Sequence, residues 1–494
     1  VCIYHCGDCD FRFVEYCKCC ACSIMKFIRK TYWYITAYLQ KHGLVILGAV
    51  VIGIVMFSLL SRIFSTISPV KPTRYIGRTG LITLATLPLD IQRKISDGLT
   101  SIDQSGSSVP ALADRWVAED DGKTYRFVLG KNKFWQDGKQ LQPQDVQYNF
   151  SDAQVLTTQN EVIFKLKQSF APFPFVVSQP LFRSEKKTSW FVFSETVIIG
   201  TGDYKVIRLH EEGGKITQLE LESPQERLVY RFYPTENRAV LAFKRGEVDI
   251  LERISSQYDF VGWKRVKATP TIQQSEYLAV FFNNNSPIFD KAIRQALNYA
   301  LPKSQGDERA ETPVNPRSWA YNKTVKTYAS DKEKAISLLL KAIPKQKIEF
   351  ELSTVPNFQK DAENIKSVWE AFGVEAVKAC SQSKDVANKS DCKNLEIAVQ
   401  LKIVNVPDVS NFQVLLIAQE SPQDPDQYYL WHSTQQTNFT GYRNPHVDKL
   451  LEDGRSIVDQ KERKSIYQDF QQILVDDSPA IFLNHLTWYT IERI

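Results

Sequence analysis

The chain has 494 residues, a formal net charge of +5, 43% hydrophobic side chains and 24% charged ones. That length exceeds one compact core and predicts two or three domains of ordinary folded composition. The charge excess gathers near the N-terminus, at Lys26, Arg29, Lys30 and Lys41, and no basic stripe interleaved with aromatics follows it, so a nucleic-acid binder is excluded.

Seven of the nine cysteines fall at Cys2, Cys6, Cys9, Cys17, Cys19, Cys20 and Cys22. Their spacing matches no standard four-ligand zinc pattern. The first Met is Met25, and the expectation is that residues 1–24 are upstream sequence without function, within a short cytoplasmic N-terminus over 1–42. "GLVILGAVVIGIVMFSLL", Gly43 to Leu60, carries no charge and no amide. Eighteen residues at about 1.5 Å rise span roughly 27 Å, close to a bilayer core. Basic residues precede it and Arg62 follows, so the run is read as an uncleaved transmembrane helix over 43–60 with the N-terminus inside. A signal peptide would have a shorter apolar region and a small-x-small site, which "SRIFSTISPV" lacks. Residues 61–74 read as a linker, rich in Ser, Thr, Pro and basic residues.

Beyond the linker, strands and helices mix. Within "LADRWVAEDDGKTYRFVLGKNKFWQDGKQLQPQDV", Glu119, Asp120 and Asp121 precede Gly122, and Asp137 precedes Gly138. Carboxylate followed by Gly marks a tight turn between strands, so these acids terminate "TYRFVLG" rather than forming a catalytic pair. "GTGDY" reads as a turn into "YKVIRL". "EYLAVFFN", Glu276 to Asn283, is a continuous apolar run, the pattern of a strand buried on both faces. "FDKAIRQALNYAL" puts Ile293, Leu297 and Ala300 on one helical face. Three further helices carry start signals: Ser330 with Glu333, Asn444 before Pro445, and Asp459 with Glu462. Cys380 and Cys392 lie in the outer part, where disulfides persist, and a bridge closing that loop contributes on the order of 3 kcal/mol. Only His210, His432, His446 and His485 lie there, and no HExxH, GxSxG or Walker pattern occurs. No metal site, cofactor or catalytic residue is expected, and the protein is read as a non-enzyme.

From about Tyr75 onward the chain resembles the peptide/nickel-type (family 5) extracellular solute-binding proteins of ABC transporters. The resemblance rests on "GLTSIDQSGSSVPALADRWVAEDDGKTYRFVLGKNKFWQDGKQLQPQDVQYNF", "IGTGDYKV", "NRAVLAFKRGEVDI", "FFNNNSPIFDKAIRQALNYAL" and the block from Trp431 to Leu474, in the family's order. It implies an α/β, two-lobed periplasmic-binding-protein-like clamp with an extra subdomain in the first lobe, preceded by one transmembrane helix. The expected first lobe covers 75–272 with the extra subdomain, the second 273–475, and 476–494 returns to the first. The implied role is capture of an oligopeptide or similar solute and delivery to an ABC permease, by a monomer tied to the membrane; the alternative is a membrane-bound sensor or interaction protein using the same clamp.

Peptide-binding members of that family carry an Asp for the peptide's α-amino group, four residues before the Pro of a short segment. Here the segment is "AQESPQDPDQYYLWHS" and that position is Ser421, with Glu420 adjacent. The candidate ligand residues are therefore Glu420, Ser421, Asp424, Tyr428, Tyr429, Trp431 and Asn283, the aromatics being stacking walls or core. No cluster of His supports nickel binding.

Overall fold

The structure is a computed structural model, described over residues 13–67, 71–188, 194–260, 262–383, 386 and 388–494. It divides into two units, 1–71 and 72–494. Among the described residues, the first holds one helix, α1 (Phe13–Ile67). Its stretch Arg29–Leu59 has a mean hydropathy of 2.4 over its most apolar window and buries none of that window, so it is a candidate membrane span or signal helix. The helix exceeds the expected 43–60 at both ends. Residues 61–67, expected in the linker, continue its turns, because an apolar helix has no cause to stop where its charges resume. The early cysteines fall among residues whose side chains lie outside the described set.

The second unit opens with β1 (Thr73–Thr79), which already claims the last two residues of the expected linker, and α2 (Leu89–Ile95). A hairpin of β2 (Thr100–Ile102) and β3 (Ser108–Pro110) leads into β4 (Ala113–Glu119), β5 (Thr124–Leu129), β6 (Ala153–Thr157) and β7 (Glu161–Leu166). The last four pair in the order β4-β5-β7-β6 as a small separate sheet. Its core is aromatic: Tyr125, Phe127, Phe164 and Phe173 are buried together. Between β4 and β5, Asp120 and Asp121 both take φ of 52° and Gly122 takes 81°, so the turn holds three successive left-handed residues. The acids here are committed to structure. Asp120 accepts the Thr124 hydroxyl at 2.7 Å, Glu119 pairs with Arg126, and Asp145 accepts Trp135 Nε1 at 3.0 Å.

After α3 (Phe173–Val176) come β8 (Arg183–Thr188), β9 (Ser194–Ile199), β10 (Lys205–Glu212), β11 (Lys215–Glu222), β12 (Arg227–Tyr233), α4 (Glu236–Lys244) and β13 (Ile250–Ile254). The 17-residue β14 (Val266–Phe282) follows. Then come α5 (Lys291–Ala300), α6 (Lys332–Lys341), β15 (Ile348–Thr354), α7 (Gln359–Gln382), β16 (Ile397–Ile403), β17 (Val414–Glu420), α8 (Tyr428–Trp431), α9 (Pro445–Ser456), α10 (Gln460–Asp477) and β18 (Ala480–Arg493).

Ten strands form one sheet in the order β10-β11-β12-β1-β13-β18-β14-β17-β15-β16. The two long strands, β14 and β18, run antiparallel through its middle and join its two halves. Their pairing slips between Gln273 and Tyr277, so residues 274–276 break the ladder where the halves meet. Past the break, Tyr277 to Phe282 are all buried. Alternation then sends Phe282 against Trp369 of α7 and Phe281 against Trp431 and Phe439 on the opposite face.

The helix starts follow local chemistry. Asn444 accepts from His446 N and Val447 N with Pro445 in the first turn, and Asp459 accepts from Glu462 N at 2.8 Å. At α6 the cap is Asp331, accepting from Lys334 N at 2.9 Å, not Ser330. A carboxylate one residue on has the same reach and a full charge for the helix N-terminus. Cys380 and Cys392, twelve residues apart, are joined in a disulfide that ties the end of α7 to the loop before β16.

Candidate functional site

The segment after β17 threads past the point where the two halves of the sheet meet. In register, Glu420 at the end of β17 stands directly opposite Glu276 of β14. Glu276 is satisfied: Arg253 pairs with it, and Trp488 Nε1 donates to its Oε2 at 2.8 Å. The Arg253 guanidinium also lies 5.4 Å from the Trp488 ring centroid. Arg253 itself has φ of 58°, a left-handed conformation that a non-glycine residue holds only when its surroundings over-determine it. Glu420 has no ion-pair partner of its own among the described residues. Desolvation and the neighbouring Glu276 push its carboxyl above the ordinary range, with Arg253 opposing. The arrangement is two carboxylates and one guanidinium, a net negative site beside an indole.

Ser421 is 2% exposed and is tied inward. Its N–H donates to Ser275 O and its Oγ to Pro313 O, both at 2.7 Å. Asp424 is likewise buried, held by both Nη atoms of Arg463 at 2.9 and 3.3 Å. Around this pair a cavity of about 160 Å³ is lined by Gly106, Trp116, Tyr125, Trp319 and Asp424 among others, so it lies between the small sheet and the segment. The β2–β3 turn closes here against the loop between α5 and α6, with Trp319 N donating to Ser105 O at 2.8 Å, and reaches the segment itself at Gly106. Gly106, at φ of 78°, is needed: a Cβ there would meet Gln423 O at 2.6 Å.

The aromatic residues divide. Tyr428 stacks on His432 with centroids 4.2 Å apart, and the Arg455 guanidinium lies 4.1 Å from the Tyr428 ring and 4.6 Å from that of Tyr429. Asp426 fixes Arg455 through its Nε at 2.9 Å. Tyr429 is 60% exposed, whereas Trp431 is fully buried against Phe281 and Tyr442 and is core. Asn283 caps the turn after β14, donating to Phe412 O and accepting from Asn285 N, away from Glu420. The structure thus brings Glu420 together with Glu276, Arg253 and Trp488, three residues the sequence reading missed. Ser421 and Asp424 adjoin this site but spend their polar atoms internally. Buried polar atoms without a protein partner also collect at the strand break: Gln274 Oε1, Tyr277 OH and His485 Nε2. Among the described residues, no three His, Cys, Asp or Glu side chains group as a metal ion needs.

Comparison with known proteins adds the family. The model described as bacterial extracellular solute-binding proteins, family 5 (middle), matches residues 107–159 and 154–421. The oligopeptide-binding protein AppA of Bacillus subtilis is 24% identical over 466 residues, 80% of this chain and 82% of that protein. The dipeptide-binding protein of Escherichia coli is 22% identical over 446 residues, 77% of this chain and 81% of the other. Among solved structures, NikZ from Campylobacter jejuni in complex with Ni(L-His) covers 86% of this chain and 94% of its own, at a TM-score of 0.63 and 23% identity. AppA of B. subtilis in complex with a nonapeptide covers 86% and 95%, at a TM-score of 0.60 and 20% identity.

Proposed function

From the premise that this chain belongs to the bacterial extracellular solute-binding proteins of family 5, we propose that it is the membrane-anchored receptor of an ABC importer, capturing short peptides outside the membrane and handing them to a permease. The observation that carries the choice of peptide is Glu420. It is a carboxylate held beside a second carboxylate, with the one nearby guanidinium committed to Glu276. A ligand α-ammonium supplies the missing cation, and a charge-assisted bond of this kind is worth about 1.5–3 kcal/mol. The acid one residue before Ser421 thus takes the role that the family's Asp plays, and Ser421 becomes a structural tie.

The strand break at 274–276 serves as the hinge, since both long strands cross there and a ladder interruption bends at low cost. The lobes are then the two halves of the ten-stranded sheet, the small β4–β7 sheet being an extra subdomain. The Arg29–Leu59 helix holds the receptor near its permease at high effective concentration. Relatives named for peptides support the reading.

The test is thermal stabilisation of the full chain by di- to tetrapeptides with free or acetylated N-termini. Stabilisation by the free peptides, lost on acetylation, is the expected result. Equal response to both forms removes Glu420 from the site, and no response to either removes the peptide.

A further inference from the structure

Resting on the membrane-anchored reading, we propose that one end of the large sheet, marked by Trp263, Lys264, Arg265 and Lys267, docks on the headgroups of an anionic lipid bilayer. The strand register assembles this end. β14 starts where β18 finishes, with Val266 opposite Arg493 and Lys267 opposite Glu492. Glu492 also faces Ile250 at the start of β13, and Ile250 faces Ile76 of β1. Backbone bonds close the same row: Ile494 N–H donates to Arg265 O, Arg493 N–H to Asp249 O and Asp249 N–H to Tyr75 O. The entry of the chain into β1 at Thr73 and the Trp-Lys-Arg run before β14 therefore share one end of the sheet. Three strand spacings, roughly 15 Å, separate them.

The side chains there suit an anionic interface. Trp263 is 41% exposed, and its ring stands edge-on to the buried Phe260 with centroids 5.3 Å apart, so it is held in place while much of it meets solvent. Lys264, Arg265 and Lys267 are exposed. Arg493 is partly buried, lying 4.5 Å from the Phe243 ring centroid and donating to Phe243 O. None of these cations has an ion-pair partner among the described residues, whereas Arg74 takes Glu492, Lys244 takes Asp259 and Arg245 takes Glu247. Asp249 is the opposing acid, and the cations outnumber it. Trp263, Lys264, Arg265 and Arg493 line a depression of about 550 Å³, wide enough to admit a phosphate headgroup. An indole open to solvent beside unpaired Lys and Arg is the combination that settles at a lipid–water interface, with the cations on the phosphates. The length of the chain favours lipid over a protein partner. Six residue steps join Ile67, the end of α1, to Thr73, a span of at most about 20 Å. A surface tethered so closely meets the bilayer at high effective concentration, and weak contacts suffice.

The experiment uses the full chain reconstituted in vesicles whose acyl chains carry bromine, which quenches nearby tryptophan. The vesicles are phosphatidylcholine alone or an equal mixture with phosphatidylglycerol. The signal of Trp263 is the quenching that disappears in Trp263→Phe. We expect Trp263 to be quenched in the mixed vesicles. That quenching should fall about fivefold or more in phosphatidylcholine, in high salt, and in a variant carrying Lys264→Glu with Arg265→Glu. Both of those side chains are exposed, so the variant should keep the melting temperature of the unaltered protein. If the anchored chain shows no Trp263 quenching in the mixed vesicles, lipid docking is overturned and this end of the sheet is left to a protein partner. Equal quenching in both lipids and at both salts overturns the recognition of anionic headgroups. If the chain washes off both kinds of vesicle in high salt, α1 is no anchor, and the anchored reading falls and this inference with it.

Discussion

Glu420 faces Glu276 with a single guanidinium beside them, and that imbalance has opposite effects on the free and the occupied protein. A carboxyl whose pKa is raised by folding costs stability above that pKa, because the folded state must hold the charge that the unfolded chain holds freely. Glu420→Gln is therefore expected to stabilise the empty protein at neutral pH. The group is partly exposed, so solvent screening keeps the gain modest, about 0.5 kcal/mol or 1–2 °C in Tm. The same substitution should weaken free-amino peptides by roughly ten- to a hundredfold. Differential scanning calorimetry and peptide titration check both signs, and a loss on both counts would make Glu420 structural. Only ionised Glu420 attracts an ammonium, so affinity for such peptides should fall as pH drops through a value above the usual 4.5. His485 acts the other way on stability. Burial lowers its pKa below 6.5, so as pH falls through 6.5 the unfolded chain takes up a proton first and the folded state loses stability.

At the scale of elements, two ties hold the segment after β17 and the half of the sheet to which β17 belongs. The Asp424–Arg463 pair is buried and bidentate. Asp424→Ala leaves that guanidinium without its counter-charge, and about 3–5 kcal/mol should be lost in denaturant titration. Replacing Cys380 and Cys392 by Ala together should cost about 2–3 kcal/mol and leave peptide affinity unchanged, because the bridge ties α7 to the loop before β16, whereas Glu420 ends β17. The elements themselves were legible where the signal is local. The apolar run at Glu276–Phe282, the caps at Asn444 and Asp459, and the turn at Gly122 needed no long-range information. The cap of α6 moved by one residue to Asp331, since Ser and Asp side by side satisfy the same rule. Of the candidate site, the sequence singles out only Glu420. Arg253, Glu276 and Trp488 are far apart in the chain and converge because β13, β18, β14 and β17 are neighbours in one sheet. No spacing in the sequence encodes that order. For Trp431 the sequence admits a stacking wall or a core residue, because composition cannot tell the two apart; alternation along β14 sends Phe281 onto it and makes it core.

For the whole molecule, the account joins an apolar helix of membrane length to a binding body of the periplasmic-binding-protein type. The intact chain should stay with membranes through high-salt washing, and a mature form beginning near Pro69 would show a cleaved signal instead. The central claim, that the body closes on a short peptide, is tested most directly by native mass spectrometry of the full chain purified in mild detergent without refolding. The account predicts added mass corresponding to peptides of two to four residues, lost on exchange against an excess of trialanine. A chain that carries no peptide and takes up no trialanine when it is supplied would contradict it.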